Sequence, residues 1–105
     1  MDTTTTTDLA EQVIATLRTH EPELREVGIR RLSLFGSVAR GDAEPDSDVD
    51  LAAELEPAAR IGLVGLVALE RRLAGLLGRP VDLLPEPVEK ARLRANIERD
   101  RRLAF

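Results

Sequence analysis

The sequence predicts an α/β (α+β) domain, a small mixed sheet flanked by helices. Segments with apolar residues at helical spacing alternate with apolar runs of strand length, in the order α, β, short α, β, α, β, α. The strand–helix–strand succession in the second half is a crossover pattern, which implies a mixed or parallel sheet with helices packed on it. A chain of 105 residues that is 43% apolar, with no linker and no repeat, has the size of one packed domain.

The elements follow from local signals. Residues 1–7, dominated by five threonines in a row, read as a flexible tail, and 8–105 as the domain. Asp8 or Thr7 can cap a first helix, with Glu11 at the capping-box position and Leu9, Val13, Ile14 and Leu17 at helical spacing. His20-Glu21-Pro22 breaks it, which makes a surface position at the helix end the expected place for His20. Pro22 then opens a short turn of helix that ends at Gly28. Residues 29–35 alternate Ile, Leu and Leu with Arg and Ser once the doubled arginine is allowed for, and form the first strand. Ser37 to Arg40 is a short helix or turn stopped by Gly41, and Ala43 to Ser47 is a loop that Ser47 can cap or tighten. Val49 to Leu55 is the second strand, Ala59 to Leu77 the longest helix with Gly78 as its C-cap, and Pro80 to Leu84 the third strand. A final helix is expected over Val88 to Leu103. The wide apolar face of the longest helix is expected to be mostly core, with Gly62, Gly65 and Gly75 leaving flat spots where another helix could approach.

Composition removes several function classes. There is no cysteine, so disulfide scaffolds and thiolate metal sites are excluded, and a reducing cytoplasm fits. The longest apolar stretch, 61–69, is too short to span a bilayer, and no signal peptide is expected, so no membrane partner is. Net charge is −4, which argues against direct nucleic-acid binding. The charge is uneven. Residues 42–56 hold seven acids and no base, whereas 90–102 hold six bases and two acids. The first region attracts cations. The second could face an anion or an acidic partner, or be a solvated helix face.

The chemistry concentrates in LFGSVARGDAEPDSDVDLAAEL, residues 34–55. Asp48 and Asp50 interrupt what reads as a buried strand, and unpaired buried carboxylates are costly. One residue apart on a strand, they point to the same face with Cα atoms about 6.5 to 7 Å apart. Two carboxylates so placed can converge on a pair of divalent cations. Oxygen donors without His or Cys favour Mg²⁺, which usually shares its coordination sphere with substrate phosphates. Gly36-Ser37 lies where a strand passes into a short helix. Gly36 lets backbone approach a ligand, and the free N–H groups and the Ser37 hydroxyl suit phosphate oxygens. Arg40 could reach the same phosphates, or could form a surface ion pair with Asp42 or Asp46. Asp82 is a further acid inside an apolar strand. It could complete the site beside Asp50 as a metal ligand or general base, or be a turn acid before Pro85.

Gly36-Ser37, ten residues, then Asp48-Val49-Asp50 resembles the GS-x10-D-x-D signature of the nucleotidyltransferase superfamily, the DNA polymerase β-like fold. The fuller text, Phe35 to Asp42 with Asp46 to Leu51, looks like the minimal nucleotidyltransferases of prokaryotes, and the resemblance runs from Ile29 to the end of the chain. It implies that Asp48, Asp50 and Asp82 bind Mg²⁺, two ions by expectation, that Asp82 is the third catalytic carboxylate, and that Gly36 and Ser37 hold a nucleoside triphosphate, ATP by expectation. It also implies attack on the α-phosphate with diphosphate leaving. Proteins of this minimal type often neutralise a HEPN-type ribonuclease toxin as its antitoxin, some by transferring AMP to a toxin tyrosine, which implies a hetero-oligomer with the toxin. The chain stops after the catalytic domain, with no added domain for a drug, tRNA or primer, so a protein is the expected acceptor. Two other readings stay open: an antitoxin that acts by contact alone, and a catalytic subunit that nucleotidylates a small molecule.

Overall fold

The computed structural model describes residues 3–105, with side chains from Leu9 onward. Its elements are α1 (Thr3–Thr19), α2 (Glu21–Glu26), β1 (Ile29–Phe35), α3 (Gly36–Arg40), β2 (Val49–Leu55), α4 (Leu63–Leu77), β3 (Val81–Glu86), α5 (Ala91–Asp100) and β4 (Arg102–Leu103), with a single 3₁₀ turn at Pro57–Ala59. The backbone is helical from Thr3, five residues ahead of the expected start. The first two residues of the expected tail lie outside the described residues, and Thr7 and Asp8, expected as caps, lie within the helix.

One mixed sheet, in the order β3-β2-β1-β4, organises the domain. β1 pairs antiparallel with β2 and with β4, and β2 pairs parallel with β3 through the α4 crossover. The doubled arginine is accommodated by a register shift between Ile29 and Arg31. Cross-strand partners share a face, so the register sorts the side chains. Leu32, Leu34, Val49, Leu51, Ala53, Val81 and Leu83 face one way and join Ala10, Val13, Ile14 and Leu17 of α1, Leu24 of α2, and Leu69 and Leu73 of α4 in the main core. The other face carries Phe35, Ser33 and Arg31 on β1, Asp50, Ala52 and Glu54 on β2, and Asp82, Leu84 and Glu86 on β3. Helix α5 crosses the middle of this second face, where Ile97 packs with Phe35 and Ala52.

Three expected boundaries move for local reasons, and one expected buried face is partly exposed. The helix expected to be longest begins at Leu63, not Ala59, and its 15 residues are fewer than the 17 of α1, because Arg60 is left-handed (φ +52°) and Gly62 is extended, which separates the 3₁₀ turn from α4. β3 runs on through Pro85 to Glu86. It is an edge strand, so proline there breaks no ladder bond. The last helix ends at Asp100, and the chain turns back to add β4 beside Ser33 and Leu34. Finally, the apolar face of α4 is core only in part: Leu69 and Leu73 are buried, but Leu63 and Val64 are 78% and 85% exposed. A Cβ added at Gly62 or Gly75 would meet no atom within 4 Å, as open spots should, but at Gly65 it would stand 3.1 Å from Ile61 Cγ2, so that spot is covered by the chain itself.

At each outer side of the sheet a helix side chain takes up a backbone group that would otherwise stay unpaired. Glu70 of α4 accepts from the Leu83 N–H of β3 at 2.8 Å, and Arg18 of α1 donates to the Ala104 carbonyl at 2.7 Å.

Candidate active site

The acids and the Gly-Ser turn meet at one end of the second sheet face. β1 delivers Phe35 opposite Asp50, so the turn into α3 begins directly beside the Asp50 carboxylate. Gly36 has φ +79°, and a Cβ there would collide with Oδ2 of Asp50 and stand 3.0 Å from its Cγ. Only glycine meets both constraints. Parallel pairing puts Asp82 opposite Asp50. Asp48 sits one residue ahead of β2, whose first N–H, on Val49, donates to the Pro80 carbonyl at 2.9 Å.

The three carboxylates sense one another. Burial pushes the half-buried Asp50 carboxyl above its ordinary range, the negative charges of Asp82 and then Asp48 push it further, and Arg40 opposes them. Asp48 and Asp82 are exposed. Among the described residues, no three His, Cys, Asp or Glu side chains are gathered closely enough to cage an ion unaided. Hard oxygen donors in a repelling, incompletely closed group fit Mg²⁺ that brings phosphate oxygens to finish its shell.

Arg40 takes the surface pairing anticipated for it, and adds another. Its Nε donates to Asp42 at 3.2 Å and its Nη1 to Asp100, the last residue of α5, at 2.9 Å. The Asp100 side chain is 4% exposed and also accepts from Arg99 Nε at 2.9 Å. Those two arginines, Arg99 first, hold its carboxyl below the usual range. The loop before Asp48 is pinned as well. Ser47 Oγ accepts from the Glu44 N–H at 2.8 Å, the tightening expected of it. Arg79 donates to the Pro45 carbonyl at 2.6 Å and the Ser47 carbonyl at 3.2 Å.

Sequence reasoning did not single out Arg79 or Asp100. Arg79 precedes a strand and binds only carbonyls, which no motif reports. Asp100 sits in a charged run that reads as a solvated helix face. His20 is remote from the acids and contacts Glu23 at 3.2 Å. A cavity of about 560 Å³ lies at the far end of the same sheet face, among Arg31, Glu54, Glu86 and Arg101, away from the three aspartates.

A nucleotidyltransferase-domain family model matches residues 17–104. The chain belongs to the nucleotidyltransferase domain family. It is 36% identical over 91 residues to protein adenylyltransferase MntA of Thermococcus cleftensis, covering 86% of this chain and 90% of that one. A solved minimal nucleotidyltransferase superposes with a TM-score of 0.72 at 34% identity, over 89% of this chain and 93% of the other. The fold is shared with the complex of a tri-AMPylated Shewanella oneidensis HEPN toxin and its MNT antitoxin, at a TM-score of 0.57 and 21% identity, over 92% of this chain and 69% of that one. The mixed four-stranded sheet is thus a nucleotidyltransferase fold. Among the described residues no helix is long and apolar enough to cross a membrane.

The contact between Gly36 and Asp50 gives a direct test. Gly36→Ala should lose roughly 1–3 kcal/mol through backbone strain alone, with the displacement of Asp50 in addition. Gly75→Ala, in open space on α4, should be stabilising by roughly 0.5–1 kcal/mol. Thermal midpoints of the two variants check both signs.

Proposed function

We propose that this nucleotidyltransferase is a Mg²⁺-dependent protein adenylyltransferase of the cytoplasm, acting as an antitoxin. It transfers AMP from ATP to a tyrosine of a HEPN-type ribonuclease toxin, with which it forms a hetero-oligomer. The observation that carries the reading is the meeting of Gly36 with Asp50 and the register pairing of Asp50 with Asp82. This puts a phosphate-binding turn beside clustered acids at an open end of the sheet. The 36% identity to a protein adenylyltransferase and the fold shared with an antitoxin bound to an AMPylated toxin support the acceptor class.

In this reading Gly36 and Ser37 hold the triphosphate, and Arg40 adds positive charge near it. Asp48, Asp50 and Asp82 would hold Mg²⁺, which supplies charge neutralisation of the phosphates and stabilises the leaving group. The tyrosine oxygen attacks the α-phosphorus and forms a phosphodiester. The bond between the α-phosphorus and the bridging oxygen breaks, and diphosphate leaves with the electron pair. Asp82, exposed and across from Asp50, accepts the phenolic proton. Catalysis is chiefly positioning and electrostatics, as phosphoryl-transfer chemistry demands little else of the protein.

The test is the intact mass of a HEPN-type protein encoded beside this chain, after incubation with the chain, ATP and Mg²⁺. One or more added AMP units are expected, and none with Asp48→Asn. An unchanged mass despite a stable complex would replace the reading with neutralisation by contact alone.

A further inference from the structure

Asp100 is a nearly buried carboxylate with no part in the reaction just described. It lies at the end of α5, sixty residues from Arg40 in sequence, and yet receives Arg40 Nη1 at 2.9 Å. Asp42 receives the Nε of the same guanidinium at 3.2 Å. An arginine side chain has many rotamers, and fixing two of its three nitrogens leaves the planar fork one orientation. Among the described residues Nη2 has no acceptor, and Arg40 closes α3, the five-residue helix that begins at Gly36 against the Asp50 carboxylate. Arg99 donates Nε to Oδ1 of Asp100 at 2.9 Å and Nη2 to Oδ2 at 3.3 Å, so Oδ2 is shared, with Arg40 Nη1 as its shorter contact at 2.9 Å. The packing of Ile97 on Phe35 and Ala52 fixes α5, and with it Asp100, relative to the β1–α3 turn.

We infer that Asp100 is a positioning residue. It orients Arg40 so that the free Nη2 edge meets the phosphates of the nucleotide, and it thereby couples α5 to nucleotide affinity. The inference rests on the proposed nucleotidyltransferase site with Arg40 on the phosphates. A guanidinium already held in place loses less side-chain freedom on binding than a free one, so the effect belongs in affinity and not in the chemical step.

The experiment is calorimetric titration of Mg²⁺·AMP-PNP into the full chain, with parallel transfer kinetics, for the parent, Asp100→Asn, Asp100→Glu, Arg40→Ala and the Arg40→Ala/Asp100→Asn double variant. Asp100→Asn should weaken binding about tenfold and raise KM for ATP in step, with kcat within about twofold. Asp100→Glu should recover part of the loss. In the Arg40→Ala background, Asp100→Asn should cost nothing further. Equal affinity for the parent and Asp100→Asn would overturn the inference, as would an undiminished loss in the Arg40→Ala background, which would mean that Asp100 acts through α5 alone. If Asp100→Asn does not fold, Asp100→Glu against Arg40→Ala decides: a Glu variant weaker than the parent but no weaker than Arg40→Ala supports the role, and parental affinity in either variant overturns it. A parent chain that binds no Mg²⁺·AMP-PNP would instead bring down the proposed nucleotide site itself, a failure distinct from loss of the coupling.

Discussion

Asp50→Asn should reduce AMP transfer about a thousandfold while leaving a protein at least as stable as its parent. Asp50 is the acid that joins the two halves of the site, touching Gly36 on one side and pairing with Asp82 on the other. Its carboxylate is also held at a cost. Burial, Asp82 and Asp48 all raise its pKa above the ordinary carboxylate value of 3.8. The folded state therefore binds this proton more tightly than the unfolded chain. Stability falls as pH rises from the unfolded value through the raised folded value, and the loss is complete above it. Asparagine removes that loss. At a half-buried site solvent screens part of the repulsion, so the gain is small, read as a modest rise in Tm.

The gain should be present at neutral pH and absent below the unfolded carboxylate value. It should also narrow when Mg²⁺ is added, because a cation relieves the parent of the same repulsion and does little for the variant. Transfer rates and thermal midpoints on the same preparations separate the outcomes. Retained transfer would remove Asp50 from the chemistry. A lower midpoint would mean that its contact with Gly36 is chiefly structural.

The strands and acids were legible because each rests on a local signal. β1 and β2 match their expected bounds, β1 because it alternates between Gly28 and Gly36, and β2 because a short apolar run follows the Pro45 loop and ends at charged residues. Gly36 and Asp50 were legible as a pair only through their spacing. The physical reason for the glycine, a neighbouring carboxylate where its Cβ would go, is a tertiary fact. What failed to show was long-range. β4 has two residues, too few for any alternation, and its arginine extends a helical charge pattern, so 101–103 read as helix. Ser33 was placed with the polar positions of β1, yet it is fully buried because α5 covers that face. The exposed start of α4 was hidden by the same rule in reverse. Leu63, Val64 and Val67 have core chemistry, and only the placement of neighbouring elements leaves them uncovered.

Arg101→Met should destabilise the fold by about 3 kcal/mol, or roughly 10–20 °C in Tm, with no change in any residue of the active site. Arg101 is the residue that ends α5 and starts the return to β4. Its Nη1 donates to the buried Ser33 Oγ at 2.9 Å and to Glu86 Oε1 at 3.1 Å, and its Nη2 donates to Glu86 Oε2 at 2.6 Å and to Glu98 at 2.7 Å. One guanidinium thus ties β1, β3 and α5 together across the second sheet face. The Arg101 and Glu86 side chains are only 16% and 12% exposed, so the forked pair is shielded from water on both sides. Glu86, with Glu98 behind it, raises the Arg101 pKa further, so the pair stays charged at any working pH. Methionine fills much of the volume but leaves Glu86 as a shielded, unpaired charge and Ser33 without its donor, and the cost of orphaned groups exceeds the net worth of the pair. The double variant Arg101→Met/Glu86→Leu should therefore recover a good part of the loss in chemical denaturation. A single variant that loses under about 1 kcal/mol would show that Ile97 packing alone holds α5 on the sheet, and that the charged cluster is replaceable surface.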